Sequence, residues 1–325
     1  MSTEASAPAS RIVVVGSLNA DLTIYCDRLP QPGETVHGNG FAVNPGGKSA
    51  NQAVAASKLG GQVSLVGAIG DDPNGAMLLE STALAGVDVS RVRRAGDAAT
   101  GVAIISVDAA GENSIIISAG ANGSLSPADV KAAADVFDDA AVVCLCLEVG
   151  LDTVAAAAQA GHDAGATVLL NLSPYAEVPQ ALAGLSDVLL VNAHEASLFL
   201  GKDTMPGADA DAVEWEPVRK QFAGRGLQRV LVTLGARGSV VLDSAGTQHI
   251  TRIPPTKVAA VDTTGAGDAF TGAVAARLAA GESLAEAAAF ASVAAALAAT
   301  KKGTQAAYPD TAEVQLLRGS HARRS

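Results

Sequence analysis

Short runs of Val, Leu and Ile recur along the chain, and most of them are followed by a stretch with helical periodicity. RIVVVGS precedes NQAVAASKLG, QVSLVGAIG precedes NGAMLLESTALAG, AVVCLCLE precedes LDTVAAAAQAGHDAG, and DVLLVN precedes HEASLFLG, with TVLLNLS and RVLVTLG as further apolar runs. A strand that is apolar at successive positions has no face to give to water, so both faces of its sheet must be covered. A helix between two such strands returns the chain to begin the next one in parallel. The pattern predicts a three-layer α/β/α unit with a mainly parallel central sheet. With 325 residues, 49% hydrophobic and 17% charged, the chain has material for one large unit of this kind or two smaller ones.

Two segments break the rhythm. Residues 20–44 and 100–118 read as strand–turn–strand with polar interruptions, the second turning through Asp108 to Asn113. Both follow units whose loops belong at the ligand-binding edge of a parallel sheet, so they are expected to form a small antiparallel lid over a cleft; periodicity alone allows two separate excursions equally well. The expected organisation is a disordered tail over 1–10, one domain over 11–318, and a flexible tail over 319–325 that holds the arginines of HARRS. Lys202 to Pro217 reads as a polar surface connection, with Trp215 as an anchor for helix packing.

Composition excludes several function classes. The net charge of −11 supplies no basic field for nucleic acid. No stretch reads as a signal peptide or a membrane span, and the alanine-rich run Ala285–Ala299 is short and carries Glu286 and Ser292, so a cytosolic protein without membrane association is expected. Cys26, Cys144 and Cys146 form neither a paired framework nor a CxxC motif, which predicts reduced thiols and no structural zinc.

Five motifs can carry chemistry. In VDTTGAGDAF (261–270) a turn of small residues leads into a helix that Gly281 can end, with Asp268 in its first turn. Backbone N–H groups there suit a phosphoryl group, and Asp268 can take a proton from a hydroxyl; a carboxylate that merely complements the helix dipole fits the same residues. NPGGKSANQAVAA opens a second helix, where Gly46 and Gly47 let backbone approach a ligand that Lys48 and Asn51 reach. It is not a P-loop, because the first glycine of that motif falls at Ala42. In GSLNAD, Asn19 and Asp21 share one side of an extended segment and can bind neighbouring hydroxyls of a polyol, or form Asx turns. VNAHEA sets Asn192 and Glu195 just after a strand, where they can hold hydrated magnesium beside phosphates, with His194 a bystander. VTLGARGSVV is a strand, a glycine turn and a strand, either lining a nucleotide pocket or forming a plain hairpin.

Taken together, these motifs resemble the ribokinase branch of the PfkB carbohydrate kinase family. GSLNAD, PGETV, GGKSANQAVAA, GDD (70–72), AGAN (119–122), NAHEA, TLGARG and DTTGAGDAF occur in the family's order between Val13 and about Pro309. The resemblance implies a Rossmann-like domain with a β-sheet lid that pairs with a second copy's lid, and ATP-dependent phosphorylation of the primary 5-hydroxyl of D-ribose. It assigns Asn19, Asp21, Gly46, Gly47, Lys48, Asn51 and Glu148 to the sugar, with Asp268 as catalytic base and Gly265, Ala266 and Gly267 as the anion hole. ATP falls to Asn192, Thr233, Leu234, Gly235, Ala236, Arg237, Gly238, Gly267 and Asp268, with Ser292 on the adenine side where the family carries His, and Asn192 and Glu195 help to place Mg2+.

The resemblance further implies a K+ site at Asp262, Thr264, Ala298, Lys301, Gly303 and Ala307. The helix opening at the Ser283/Glu286 capping box ends near Thr300 and is expected to leave carbonyls without helical partners, which suit such a cation. Ala307 stands where the family often has Ser, so it brings no hydroxyl, and Ser49 stands where Gly is commoner. Other expectations are a kinase for another pentose or a nucleoside, and a non-catalytic sugar- or nucleotide-binding protein on the same scaffold. A dinucleotide-dependent oxidoreductase fits less well, since the first strand runs into GSLNAD rather than GxGxxG.

Overall fold

The computed structural model describes residues 11–203, 205–207 and 209–322. The chain opens with β1 (Arg11–Val15), β2 (Asn19–Cys26), β3 (Gly38–Gly46), α1 (Lys48–Lys58), β4 (Gln62–Gly70), α2 (Pro73–Leu84) and β5 (Asp88–Ala95). There follow β6 (Gly101–Val107), β7 (Asn113–Ser118), α3 (Pro127–Ala132), β8 (Ala140–Leu145), α4 (Leu151–Asp163), β9 (Thr167–Asn171), α5 (Gln180–Leu185) and β10 (Val188–Asn192). The remainder is α6 (Ala193–Leu200), α7 (Ala212–Gly224), β11 (Arg229–Thr233), β12 (Ser239–Asp243), β13 (Ile250–Ile253), α8 (Ala266–Ala279), α9 (Leu284–Ala298) and α10 (Thr311–Ala322).

Nine strands form the central sheet in the order β13-β12-β11-β10-β9-β8-β1-β4-β5, parallel except where β12 and β13 turn back at one edge. The two-residue period of a strand divides the apolar runs between two cores. Val13 and Val15 join α3 to α7 on one face through Val130, Val154, Leu182, Phe199 and Trp215. Ile12 and Val14 join α1, α8 and α9 on the other, through Ala53, Ala273 and Ala287. Alanine on both contacting surfaces lets α1, α8 and α9 pack closely, which brings residues near the start of α1 against the start of α8.

Strands β3, β2, β6 and β7 form the separate four-stranded sheet expected of residues 20–44 and 100–118. Its two hairpins are antiparallel, and they join along a parallel seam between β2 and β6. The outer surface is apolar and open, with Phe41 65% and Ile116 67% exposed. Strand order in the central sheet reverses at β1, which lies between β8 and β4, and a crevice outside the carboxyl ends of the strands is expected at such a reversal. The lid leaves the central sheet here, three residues after β1 ends.

Two boundaries differ from expectation. The Asp211/Glu214 capping box starts α7 at Ala212, so Pro217 lies inside a helix rather than in a surface connection, and Trp215 is buried in the core as a packing anchor. Helix α10 continues to Ala322, so the 318/319 boundary falls within it. The expected tail at 1–10 and the last three residues lie outside the described residues. Among the described residues no helix is long and apolar enough to cross a membrane, and all three cysteines are buried and free.

Candidate active site

A cavity of about 150 Å³ opens at the carboxyl ends of β9, β10 and β11, lined by Lys48, Asn171, Asn192, Glu195, Gly267 and Asp268 among others. Glycine geometry builds its two rims. Gly47 caps α1 at φ 89, a conformation that favours glycine, and a side chain there would strike the backbone of Leu18 and Asn19. Gly265 caps α8 in the left-handed region at φ 72, where a Cβ would run into Thr304 and the Tyr308 hydroxyl. Both helices therefore point their N-terminal ends at the cavity from turns that glycine permits.

Asp268 is buried at the head of α8, and each of its carboxylate oxygens accepts one amide hydrogen bond. Asn51 Nδ2 donates to Oδ2 at 3.0 Å and Gln52 Nε2 to Oδ1 at 3.1 Å. Burial pushes its pKa up, with Glu148 adding to the effect, while Lys48 and the two amides pull the other way. Burial lowers the Lys48 pKa, but Asp268 and Glu148 outweigh it and leave the ammonium above its ordinary range. Asp21 is pushed up to about 7, first by burial and then by Glu148 and Asp268, against Lys48. Three acids converge on one lysine, the charge pattern of a site that gathers hydroxyls and moves a proton.

Other residues expected at the sugar form a framework around this centre. Asn19 pairs across strands with Gly46 and Gly101, and its Oδ1 accepts from Asn122 Nδ2 at 2.8 Å. Glu148 Oε2 accepts from Ser17 Oγ at 2.6 Å and from the Lys48 backbone N–H at 3.0 Å, holding the segment after β8 to the segment after β1 and to the start of α1. Asn51, expected on the sugar, is engaged instead with Asp268 and with Gln305, whose Nε2 donates to its Oδ1 at 3.0 Å. Ser49, the unusual residue of its motif, is turned into the core, with its Oγ 3.1 Å from Cys146 Sγ.

Of the residues expected at the nucleotide or its magnesium, Asn192, Glu195, Thr233, Gly267 and Asp268 line the cavity. Asn192 and Glu195 form a reciprocal capping box, each side chain accepting from the other's backbone N–H at 2.8 Å. They are thus fixed at the start of α6 with carboxylate and amide facing the cavity, while His194 points to the exposed side. Leu234, Gly235, Ala236, Arg237 and Gly238 form a tight turn between β11 and β12 beyond the cavity. Ser292 of α9 lies 3.3 Å from both the Pro254 carbonyl and Thr256 Oγ1, outside the residues that line the cavity.

At the turn and at the cation loop, several backbone groups are already engaged. The Ala266 N–H donates to the Thr263 carbonyl at 3.1 Å, closing the turn, so it is not free for an anion; Gly267 and Asp268 follow it in the first helical turn, where N–H groups have no carbonyl a turn earlier in the helix. At the end of α9, the carbonyls left without helical partners are met by N–H groups from outside the helix. Ala298 accepts from the Lys301 N–H, and Ala299 from those of Val261 and Asp262, because the chain folds back over the helix end. Asp262 draws the loop together by accepting from Thr264 N–H at 2.9 Å and Gly303 N–H at 3.0 Å. Burial works against the Asp262 carboxylate, but these two bonds outweigh it and hold its pKa below the usual range. Ala307 is buried, its N–H given to the Thr304 carbonyl, and the Lys301 side chain pairs outward with Glu313.

Sequence reasoning passed over Asn171 and Ser173, which line the cavity at the end of β9, although a polar residue just after an apolar run is the signal that exposed Asn192. Gln52, Asn122, Gln305 and Tyr308 were missed because nothing local marks a residue whose partner is distant in the chain.

The chain matches the family model described as pfkB family carbohydrate kinase over residues 9–311. It is 35% identical over 309 residues to the ribokinase of Schizosaccharomyces pombe, covering 93% of this chain and 96% of that protein. It is also 35% identical over 299 residues to the deoxyribokinase of Salmonella typhi, covering 92% and 95%. The structure superimposes on that of Arabidopsis thaliana ribokinase complexed with ribose and ATP with a TM-score of 0.85 at 32% identity, covering 94% of this chain and 97% of the other.

Proposed function

The chain belongs to the pfkB family of carbohydrate kinases, and on that premise we propose that it transfers the γ-phosphoryl group of ATP to the primary 5-hydroxyl of D-ribose, giving D-ribose 5-phosphate and ADP. The observation that carries this reading is Asp268, buried at the head of α8 in the same cavity as Lys48, Gly267, Asn192 and Glu195. Asp268 takes the hydroxyl proton as the sugar oxygen bonds to the γ-phosphorus, and the bond from that phosphorus to the β–γ bridging oxygen breaks, its electron pair leaving with ADP. The helix N-terminus and the N–H groups at Gly265 and Gly267 face the charge that develops. Asn19, Asp21 and Glu148 hold the sugar, and positioning supplies most of the catalysis.

The donor set suits magnesium carried by the nucleotide. Among the described residues no group of three or more His, Cys, Asp or Glu forms a metal cage, whereas Asn192 and Glu195 can order water around an ion bound to phosphates. When bound, magnesium neutralises phosphate charge. Potassium is assigned to the loop of Asp262, Thr264, Ala298, Lys301, Gly303 and Ala307, where it would compete with the Lys301 N–H for the Ala298 carbonyl. The same reading puts the protein in the cytoplasm, as a homodimer joined through the apolar lid.

The test is ADP release with ribose, deoxyribose, fructose, adenosine and cytidine. Ribose should give the highest kcat/KM. Preference for deoxyribose would favour a second reading, supported by the equal identity to the Salmonella typhi deoxyribokinase. Sugar binding without turnover would favour a binding protein. Asp268→Asn should lower kcat by about 10²- to 10⁴-fold; near-normal turnover would remove the base assignment.

A further inference from the structure

We infer that Gln52 is a positioning residue for Asp268: a buried amide that sets the plane of the carboxylate and keeps an N–H donor against it. The inference rests on Asp268 being the base. Gln52 is 1% exposed and lines neither the sugar nor the nucleotide side of the cavity. Its Nε2 donates to Asp268 Oδ1 at 3.1 Å while Asn51 Nδ2 occupies Oδ2 at 3.0 Å, so the carboxylate is gripped at both oxygens and cannot rotate without losing a bond.

The orientation of the Gln52 amide is determined from behind. Cys144, on β8, donates its thiol to Gln52 Oε1 at 3.3 Å. Burial pushes the Cys144 thiol far above its ordinary range, so it remains a donor at any working pH. An amide between a thiol donor and a carboxylate acceptor satisfies both in one orientation only, oxygen toward the thiol and nitrogen toward the acid. The backbone is fixed as well. Gly272, one turn beyond Asp268 on α8, packs so closely on α1 that a Cβ there would lie 2.5 Å from the Gln52 carbonyl. Gln52 and Asp268 thus sit beside a close approach of the two helices, each amide atom assigned to a single partner.

The charged and titratable groups around Asp268 come from every packed element: Lys48 on α1, Asp21 on β2, Cys144 on β8, Glu148 just after it, and Tyr308 beyond α9. Lys48 and the two amides favour the ionised acid, and burial and Glu148 oppose it. Losing the Gln52 donor therefore displaces the titration of Asp268 upward and leaves the sugar contacts in place.

The experiment is the pH profile of kcat at saturating ribose and MgATP for Gln52→Leu and Gln52→Glu, with unfolding transitions to establish that each variant is folded. The acid limb should move up by roughly one pH unit, a hydrogen bond to a charged group being worth about that much. Below the limb kcat should fall about tenfold, recovering at high pH, with KM for ribose within about twofold. Cys144→Ala should shift the limb in the same direction by less, and Cys144→Ser should restore it, which decides the matter even if the Gln52 variants do not fold. An unshifted limb, or a kcat lowered equally at every pH, would overturn the inference and leave Gln52 as packing. Asp268→Asn keeps the two readings apart: if it is inactive while Gln52→Leu is unshifted, only the positioning role fails, and if it turns over normally, the base assignment fails.

Discussion

The Tyr308 hydroxyl donates to the carbonyl of Gly265 at 3.1 Å, tying a residue near the end of the chain to the turn that opens α8. That turn aims the N–H groups of the helix start, and Tyr308 is buried against it with its pKa raised well above the ordinary value, chiefly by burial and then by Asp268 and Asp21. Removing the hydroxyl in Tyr308→Phe keeps the packing and loosens the turn. Steady-state kinetics should show kcat down by roughly 3- to 10-fold, about the worth of one hydrogen bond, with nucleotide binding little changed. An unchanged kcat would mean that the turn holds its shape without the tyrosine.

Gly265→Ala tests the same turn from the other side. Its φ of 72 and the closeness of Thr304 and Tyr308 leave no place for a methyl group. Denaturant unfolding should show a loss of about 1–3 kcal/mol, the usual cost of such backbone strain, together with a large fall in activity. Wild-type stability would show that the cap tolerates a side chain.

The Asp21 carboxyl makes stability and sugar binding depend on pH. Its folded pKa of about 7 lies above the ordinary 3.8, so between those values the folded protein holds a proton that the unfolded chain has released. Asp21 therefore takes stability away as pH rises from about 4 to about 7. Asp21→Asn should gain stability relative to the parent at pH 8 compared with pH 5. Ribose hydroxyls donate to the ionised form, so KM for ribose in the parent should fall as pH rises through that range. A stability difference that is the same at both pH values would refute the raised acid.

Asp262 links Thr264 to Gly303 and so shapes the loop assigned to potassium. Turnover should be several-fold faster in potassium than in a large organic cation at equal ionic strength, and Asp262→Ala should abolish the difference. Equal rates for the parent would remove the cation from the reading. Because Ala307 has no hydroxyl, restoring one with Ala307→Ser should alter the cation concentration needed rather than the maximal rate.

Phe41 on β3 and Ile116 on β7 stand exposed on the two edge strands of an apolar lid, a surface of the kind that marks an interface. Phe41→Glu and Ile116→Glu should shift sedimentation from dimer to monomer. A parent that sediments as a monomer at micromolar concentration would exclude lid pairing.

Much of the architecture was legible in the residue order. Apolar runs such as AVVCLC, with no face for water, required a sheet covered on both sides, and glycine before Lys48 and before Ala266 marked the helix starts at which a ligand can approach backbone. The capping box at Ser283/Glu286 was readable for the same reason, since its partners lie within one turn. What the residue order left open was decided by contacts between distant parts of the chain. Asp268 became a held carboxylate, rather than a helix-start charge, through Asn51 and Gln52, more than two hundred residues away. Asp21 was raised first by desolvation and then by Glu148 and Asp268, which packing brings near it, and the carbonyls at the end of α9 acquired partners because 261–262 folds back over them. Local propensity acts over one helical turn or one strand pair, whereas desolvation and charge coupling depend on which groups the packed helices exclude from water together.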